Sequence, residues 1–305
     1  MSTLTSVKVR QIKSDHTAIT IKLISYVVIA IFSVICVLPF IIMVTNSFAS
    51  DAALRADGFT LWPSEFSTFA YKIVLLDNPS AILGSYVVTV SLTAIGTLIG
   101  LFVIGMTGYA LQRPDFPYRN GISFFFYFTT LFSGGLIPYY LVMVKYLGLQ
   151  GNYLSILLPT LLSPWLIILM KSFLKGIPHA ITESAKIDGA GDMKIWWSIV
   201  RPMATPALAT IGLFLALAYW NEWYNAMLFL NGVKHQPLQL FLYAVINKAE
   251  FIRNSAAAAN IPIQDMPGDS LKMAVAVVST GPIILLYPFV QRFFISGITV
   301  GAVKG

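Results

Sequence analysis

Six stretches of this chain carry no charged side chain, or a single one, over about the length a helix needs to cross the hydrocarbon of a bilayer, roughly 20 apolar residues. They lie between Lys22 and Asp51, Asp77 and Arg113, Arg119 and Lys145, Lys145 and Lys171, Arg201 and Lys234, and Lys272 and Arg292. The fifth is interrupted by Glu222, and the last leaves 19 residues, enough for a crossing with little tilt. Composition agrees: 57% of the 305 residues are hydrophobic and 11% are charged, against roughly 25% charged in a soluble domain. Only a helix or a closed barrel satisfies its backbone in lipid, and windows this long and apolar specify helices. The expected class is an all-α membrane protein with six transmembrane helices.

Orientation follows from where Lys and Arg collect, because cytoplasmic loops retain them. Lys8, Arg10, Lys13 and Lys22 precede the first window, and Lys171, Lys175, Lys186, Lys194 and Arg201 surround a polar insert after the fourth. Loops on the other side mix Arg55, Lys72, Lys145, Lys234, Lys248, Arg253 and Lys272 with as many acids. Both termini are therefore expected in the cytoplasm, and the net charge of +7 serves topology and attraction to anionic lipid rather than nucleic acid. The first window is too long for a cleaved leader and is expected to stay as an anchor. The expected division is a cytoplasmic tail 1–22, a first transmembrane helix 23–48, an outer loop 49–80 with a short helix from Phe66 to Leu76, a core 81–295 and a cytoplasmic tail 296–305. The core holds five helices, the insert 177–206 between helices 4 and 5, and a second outer loop 231–270.

Several chemistries are excluded by what the chain lacks. Cys36 is the one cysteine, and His16, His179 and His235 are far apart, so no metal cluster and no bound cofactor are expected. No Gly-Lys-Ser or Gly-Lys-Thr occurs, so the chain has no phosphate-cradling loop for ATP. Gly189-Ala190-Gly191-Asp192 matches the Gly-x-Gly-Asp pattern of intramembrane aspartyl proteases. That chemistry needs a second aspartate facing the first, and no window contains one. A secondary transporter or channel would be expected to place polar groups in several spans, whereas here Glu222 stands alone.

The insert reads as two short helices around a glycine turn, with Pro178 at the start and Gly189 at the stop of the first. Small residues Ala180, Ser184 and Ala185 beside Glu183 and Asp188 suit a groove on a partner protein. Met193, Trp196, Trp197 and Val200 at i, i+3, i+4 and i+7 form a stripe expected to pack on the bundle. The alternative is a helix lying on lipid, which leaves Glu183 and Gly189 unexplained.

Glu222 is the candidate for the transport path, since a charge at mid-bilayer costs roughly 2.5–3.5 kcal/mol on insertion scales and must face protein or water. On a continuous helix it shares a face with Asn221 and Asn225, flanked by Tyr219 and Trp223. Amide and carboxylate groups bond sugar hydroxyls, and rings stack on sugar faces. A pairing role between subunits is the open alternative. In the second outer loop, Pro237, Pro262, Pro267 and Gly268 argue against a continuous helix, and Gln236, Gln239, Asn247, Asn254 and Asn260 are its candidate contacts.

Taken together, Leu61-Trp62-Pro63-Ser64-Glu65-Phe66, Ser133-Gly134-Gly135-Leu136-Ile137-Pro138, the run Glu183 to Pro202, Trp220-Asn221-Glu222-Trp223 and the tail Gly297 to Gly305 carry a resemblance. About four fifths of the chain, from Leu61 on, resembles the MalG-like and LplC-like permease subunits of carbohydrate ATP-binding-cassette (ABC) importers, which have a MetI-like transmembrane domain. It departs from their common loop pattern at Ser184, usually Ala, and at Arg201, usually Leu. The resemblance implies that Glu183, Ser184, Ala185, Asp188, Gly189, Ile199 and Pro202 couple to a separate ATPase subunit, which uses ATP and Mg. It implies that Gly301, Ala302, Val303, Lys304 and Gly305 reach into that ATPase, where the residues alone suggest a fraying terminus. The implied partners are a second homologous permease, two ATPase subunits, an extracellular solute-binding protein and an oligosaccharide, in a bacterial plasma membrane.

Overall fold

The computed structural model describes residues 16–259 and 268–284, and among them the chain is helical, with one isolated antiparallel bridge between Ala49 and Phe66. Helix α1 (His16–Asn46) is apolar on every side and exposed until its last turn, where Asn46 is buried and holds Thr60 by both backbone groups, accepting from its N–H at 3.2 Å and donating to its C=O at 2.6 Å. An apolar surface that none of the described residues covers suits lipid or another subunit.

The first outer segment is more structured than its sequence suggests. Helix α2 (Asp51–Asp57) forms because the Ser50 hydroxyl accepts the Ala53 N–H and Asp51 sits in the first turn, a capping arrangement worth about 0.5–2 kcal/mol. The expected helix from Phe66 to Leu76 is shorter, α3 (Phe69–Leu75), because Phe66 is held in the bridge to Ala49.

The bundle is organised on α4 (Pro79–Gln112), 34 residues without a break. It packs on α5 (Arg119–Leu131), α7 (Leu154–Leu161), α8 (Pro164–Leu174) and most extensively α12 (Thr205–Trp220). Glycines set the close approaches: Gly96 faces the Tyr219 ring, a Cβ on Gly100 would meet Leu215 at 3.0 Å, and one on Gly108 would meet Met170 at 2.7 Å. Small residues let helix backbones meet where lipid gives no hydrophobic drive.

Three described segments are long and apolar enough to cross a membrane: Ile19–Asn46, Pro79–Gln112 and Leu154–Leu174. Two further pairs of helical segments meet at sharp bends. Arg119–Leu131 turns by 117° into Leu136–Tyr146, which contains α6 (Leu136–Leu141), at a break where Gly135 takes φ +85°. Asp192–Met203 meets Thr205–Trp220 at 85°, and α12 then stops at Asn221 and restarts as α13 (Tyr224–Phe229). The span expected between Arg201 and Lys234 is therefore not one helix. The sixth window is helical over α15, residues 269–284, as far as the described residues go.

The second outer loop corrects the expectation most. Helix α14 (Leu238–Ala258) fills 21 of its residues. Pro237 stands immediately before the helix and Pro262 beyond its end, so the prolines bracket the helix instead of interrupting it. Two long-range bonds seat it: the Thr89 hydroxyl accepts the Leu238 N–H at 2.7 Å, and the Tyr153 hydroxyl donates to His235 C=O at 2.6 Å. Asp51 reaches across the chain to the start of α15, accepting the N–H groups of Gly268 (2.7 Å) and Ser270 (3.1 Å). Asp51→Ala is expected to cost about 0.5–2 kcal/mol as a lost cap, read as faster amide hydrogen exchange over residues 269–272 than over α12. Equal exchange in both would remove that role.

Candidate functional site

The insert begins with α9 (His179–Ile187), with Pro178 at the N-cap. Its stop is a Schellman motif: Ala190 N–H donates to Ala185 C=O at 2.9 Å and Gly189 N–H to Lys186 C=O at 3.0 Å, with Gly189 at φ +80°. That left-handed φ, not lack of room, demands glycine, since a Cβ there would meet nothing within 4 Å. Ala185 is buried against the bundle, whereas Glu183, Ser184, Asp188 and Gly189 face outward. Ser184 donates to Ala180 C=O at 2.8 Å and so acts as a small helix residue. Ile187 is 86% exposed on this outward face, an apolar knob among polar neighbours that the sequence reading passed over.

The second half of the insert is α10 (Asp192–Ile195), a π turn Trp196–Val200 and α11 (Arg201–Met203). The π turn changes which residues point inward. Ile195, Trp196 and Val200 are buried, but Met193 is exposed and Trp197 is 43% exposed, so the expected four-residue stripe is half right. Its 3.6-residue period fails where five residues fill the turn. Arg201 lies over the Trp197 ring at 4.6 Å, a cation–π contact that gives this departure from the family pattern a place. Ile199 is partly buried against the same core, and Pro202 is exposed.

An ion cluster ties this insert to the end of α4. Arg113 pairs with Asp115, donating from Nε at 2.8 Å, and with Asp192. Lys186 donates to Asp115 at 2.6 Å and lies 3.9 Å from Asp192. The Arg113 guanidinium, and after it the Lys186 ammonium, hold the Asp115 carboxyl well below the usual carboxylate range. It stays ionised at any pH used to assay a membrane protein. A cleft of about 280 Å³ opens here, lined by Met106, Tyr109, Arg113, Asp115, Phe116 and Asp192. Arg113 and Asp115 sit in the short connection between two apolar windows, and nothing in a linear reading pairs them with Lys186 and Asp192.

At the other candidate region, Glu222 lies in the break between α12 and α13 and not within a helix. Both its oxygens are taken by Asn225: Oε1 accepts the backbone N–H at 2.8 Å and Oε2 the side-chain amide at 3.0 Å. Tyr139 on α6 donates to Asn225 Oδ1 at 3.1 Å, and Gln239 on α14 donates to Asn221 Oδ1 at 3.4 Å. Three helices thus meet through amides. Trp223 rests 5.1 Å from the Tyr243 ring and 5.8 Å from Tyr224 by centroids, and all three rings are exposed. Tyr219 is instead buried, 1% exposed, donating to Leu157 C=O at 2.9 Å. Its grouping with the path residues is corrected, because in the last turn of α12 its ring packs against Gly96 in the core.

No protein-family model matches the chain. It is 39% identical over 282 residues to the polygalacturonan/rhamnogalacturonan transport system permease protein YtcP of Bacillus subtilis, covering 92% of this chain and 96% of that one. It is 35% identical over 271 residues to the protein LplC of the same organism. Among solved structures, a chain from a bacterial ABC transporter involved in the import of the acidic polysaccharide alginate superposes with a TM-score of 0.75 and 30% identity, covering 93% of this chain and all of that one. The chain belongs to the permease subunits of carbohydrate ABC importers.

For this permease, the structure brings Glu183, Ser184, Asp188 and Gly189 together on one outward face of the insert and sets Asn221, Glu222, Asn225 and Trp223 in one helix break. Asn247 and Asn254 are exposed on α14. The tail Gly301 to Gly305, the N-terminal tail before His16, and Asn260 lie outside the described residues.

Proposed function

We propose that this permease forms half of the translocation path of an oligosaccharide importer and is driven by a separate ATPase subunit seated on the insert. The observation that carries this is α9: a helix held at Ala185, ended by a rigid glycine cap, and presenting Glu183, Ser184, Ile187 and Asp188 exposed among the described residues. Such a face is built to be covered. The remaining assembly is a second permease, a second ATPase and an extracellular solute-binding protein, with six spans, both termini in the cytoplasm and no ATP site of its own. YtcP is named for polygalacturonan/rhamnogalacturonan transport and the solved structure for import of the acidic polysaccharide alginate, so acidic oligosaccharides are the first substrates to test. The measurement is ATP hydrolysis by the purified complex in proteoliposomes, with a panel of neutral and acidic oligosaccharides on the binding protein. Hydrolysis unmoved by every sugar would refute the assignment of an oligosaccharide substrate.

Within the path, the exposed rings of Trp223, Tyr224 and Tyr243 offer stacking faces, and Asn221 and Gln239 offer amides. Glu222 has a structural duty as well, because it caps α13 through Asn225. Glu222→Gln keeps one acceptor for the Asn225 N–H and removes the charge. It is expected to leave the folded yield near wild type, whereas Asn225→Ala strands Tyr139 and costs about 1–3 kcal/mol. Sugar uptake and affinity unchanged in both variants would take this break out of the path.

A further inference from the structure

One face of α4, continued just past its last residue by the C-cap Arg113, receives the insert at three positions spaced four residues apart: Gly105, Tyr109 and Arg113. A Cβ on Gly105 would meet the Trp196 ring at 2.8 Å, so the indole fills that notch. Tyr109 follows, its ring 5.5 Å from Trp196 by centroids, and the Arg113 guanidinium lies 5.7 Å above the Tyr109 ring. Arg113 then grips Asp192 at the head of α10, and through Asp115 it holds Lys186 of α9. Both halves of the insert are thus fastened to one face of one helix. At its opposite end the same helix is bonded to the outer elements, by Thr89 to the start of α14 and by the Tyr86 hydroxyl to Val278 C=O of α15 at 2.9 Å. The covalent route from the insert into α12 bends by 85°, whereas α4 is unbroken over its 34 residues.

We propose that Arg113 is a positioning residue that clamps the insert to α4, so that displacement of the insert reaches α14 and α15 as movement of α4. This rests on the reading that an ATPase docks on α9. Arg113 itself does not touch that outward face. Rigid helices and ion-pair networks that contact both sites are the kind of structure that carries such coupling.

The test uses the whole importer in proteoliposomes, with Arg113→Asp, Asp192→Arg and the two combined. Each single substitution places like charges together in the cluster. The expected result is that both single variants still copurify the ATPase and hydrolyse ATP, while sugar carried per ATP falls about tenfold, within the usual range for coupling between sites. The exchange of charges is expected to restore the ratio to within about threefold. A purely structural role would lower folded yield and hydrolysis together and leave the ratio alone. Arg113→Lys, which keeps charge but loses the fork, covers the case of a variant that does not fold, and an intermediate ratio is expected. Spin labels on α9 and on the last turn of α4 read the clamp directly: one narrow distance in the wild type through nucleotide turnover, and a broadened one in Arg113→Lys. A wild-type ratio in both single variants, or a distance that changes during turnover in the wild type, overturns the proposal. Loss of the ATPase from the unmodified complex would overturn the docking reading instead.

Discussion

Glu183→Lys combined with Gly189→Val is expected to abolish sugar uptake and to lose the ATPase from the purified complex, while leaving the bundle folded. Gly189 is the last turn's release point. At φ +80° a non-glycine residue costs roughly 1–2 kcal/mol, and a β-branched one sits at the worse end because its side chain crowds the backbone there. The two capping bonds from Gly189 and Ala190 then fail, and α9 unwinds at the end that carries Ile187 and Asp188. Reversing Glu183 removes the acid from the outward face at the same time. Neither residue contributes to the buried core, so folded yield and thermal midpoint should stay near wild type. Gly189→Asn alone, which tolerates left-handed backbone, should retain most uptake. Copurification and uptake intact in the double variant would show that no force enters the permease through this helix.

The second large effect is expected in stability. Trp196→Ala should cost about 3–5 kcal/mol, the range for emptying a buried aromatic site, and should appear as a large fall in the thermal midpoint in detergent. Trp196 is 2% exposed, and its ring fills the notch at Gly105 beside Tyr109. Its neighbour Trp197 makes a clean control. That ring lies partly exposed between Arg201 and Phe102, and Trp197→Ala forfeits a cation–π contact of about 0.5–1 kcal/mol with an aromatic contact of about 0.5–1.5 kcal/mol, less than the loss at Trp196. Equal losses in the two variants would mean that the π turn does not separate them.

These two tryptophans show where a linear reading stops. A 3.6-residue period places Trp196 and Trp197 on one stripe, and a five-residue turn parts them. The same limit explains Glu222. Its charge marks it as a special position from sequence alone, but only the break at Asn221 turns it into the cap of α13. Pro237 and Pro262 read as helix breakers, although their spacing leaves room for the 21 residues of α14. A proline says that a helix does not run through it and says nothing against one beginning just after it. The cap by Ser50 was legible and was overlooked.

What the sequence determined by itself is everything set by residues close in the chain. Apolar length makes membrane helices, and Gly189 following a short polar helix makes a stop. The residues Glu183 to Pro202, read with their neighbours, are enough to mark a polar insert of two short helical segments between apolar windows. Tertiary structure alone decided which distant groups share a place: Arg113 with Asp192, Asp51 with the head of α15, Tyr139 with Asn225, and Trp196 in the notch of Gly105. Local backbone preference is a matter of sterics within a few residues. An ion pair or a seated ring depends on how helices cross, and the crossings here are set by glycines on α4 whose partners lie up to about 150 residues away.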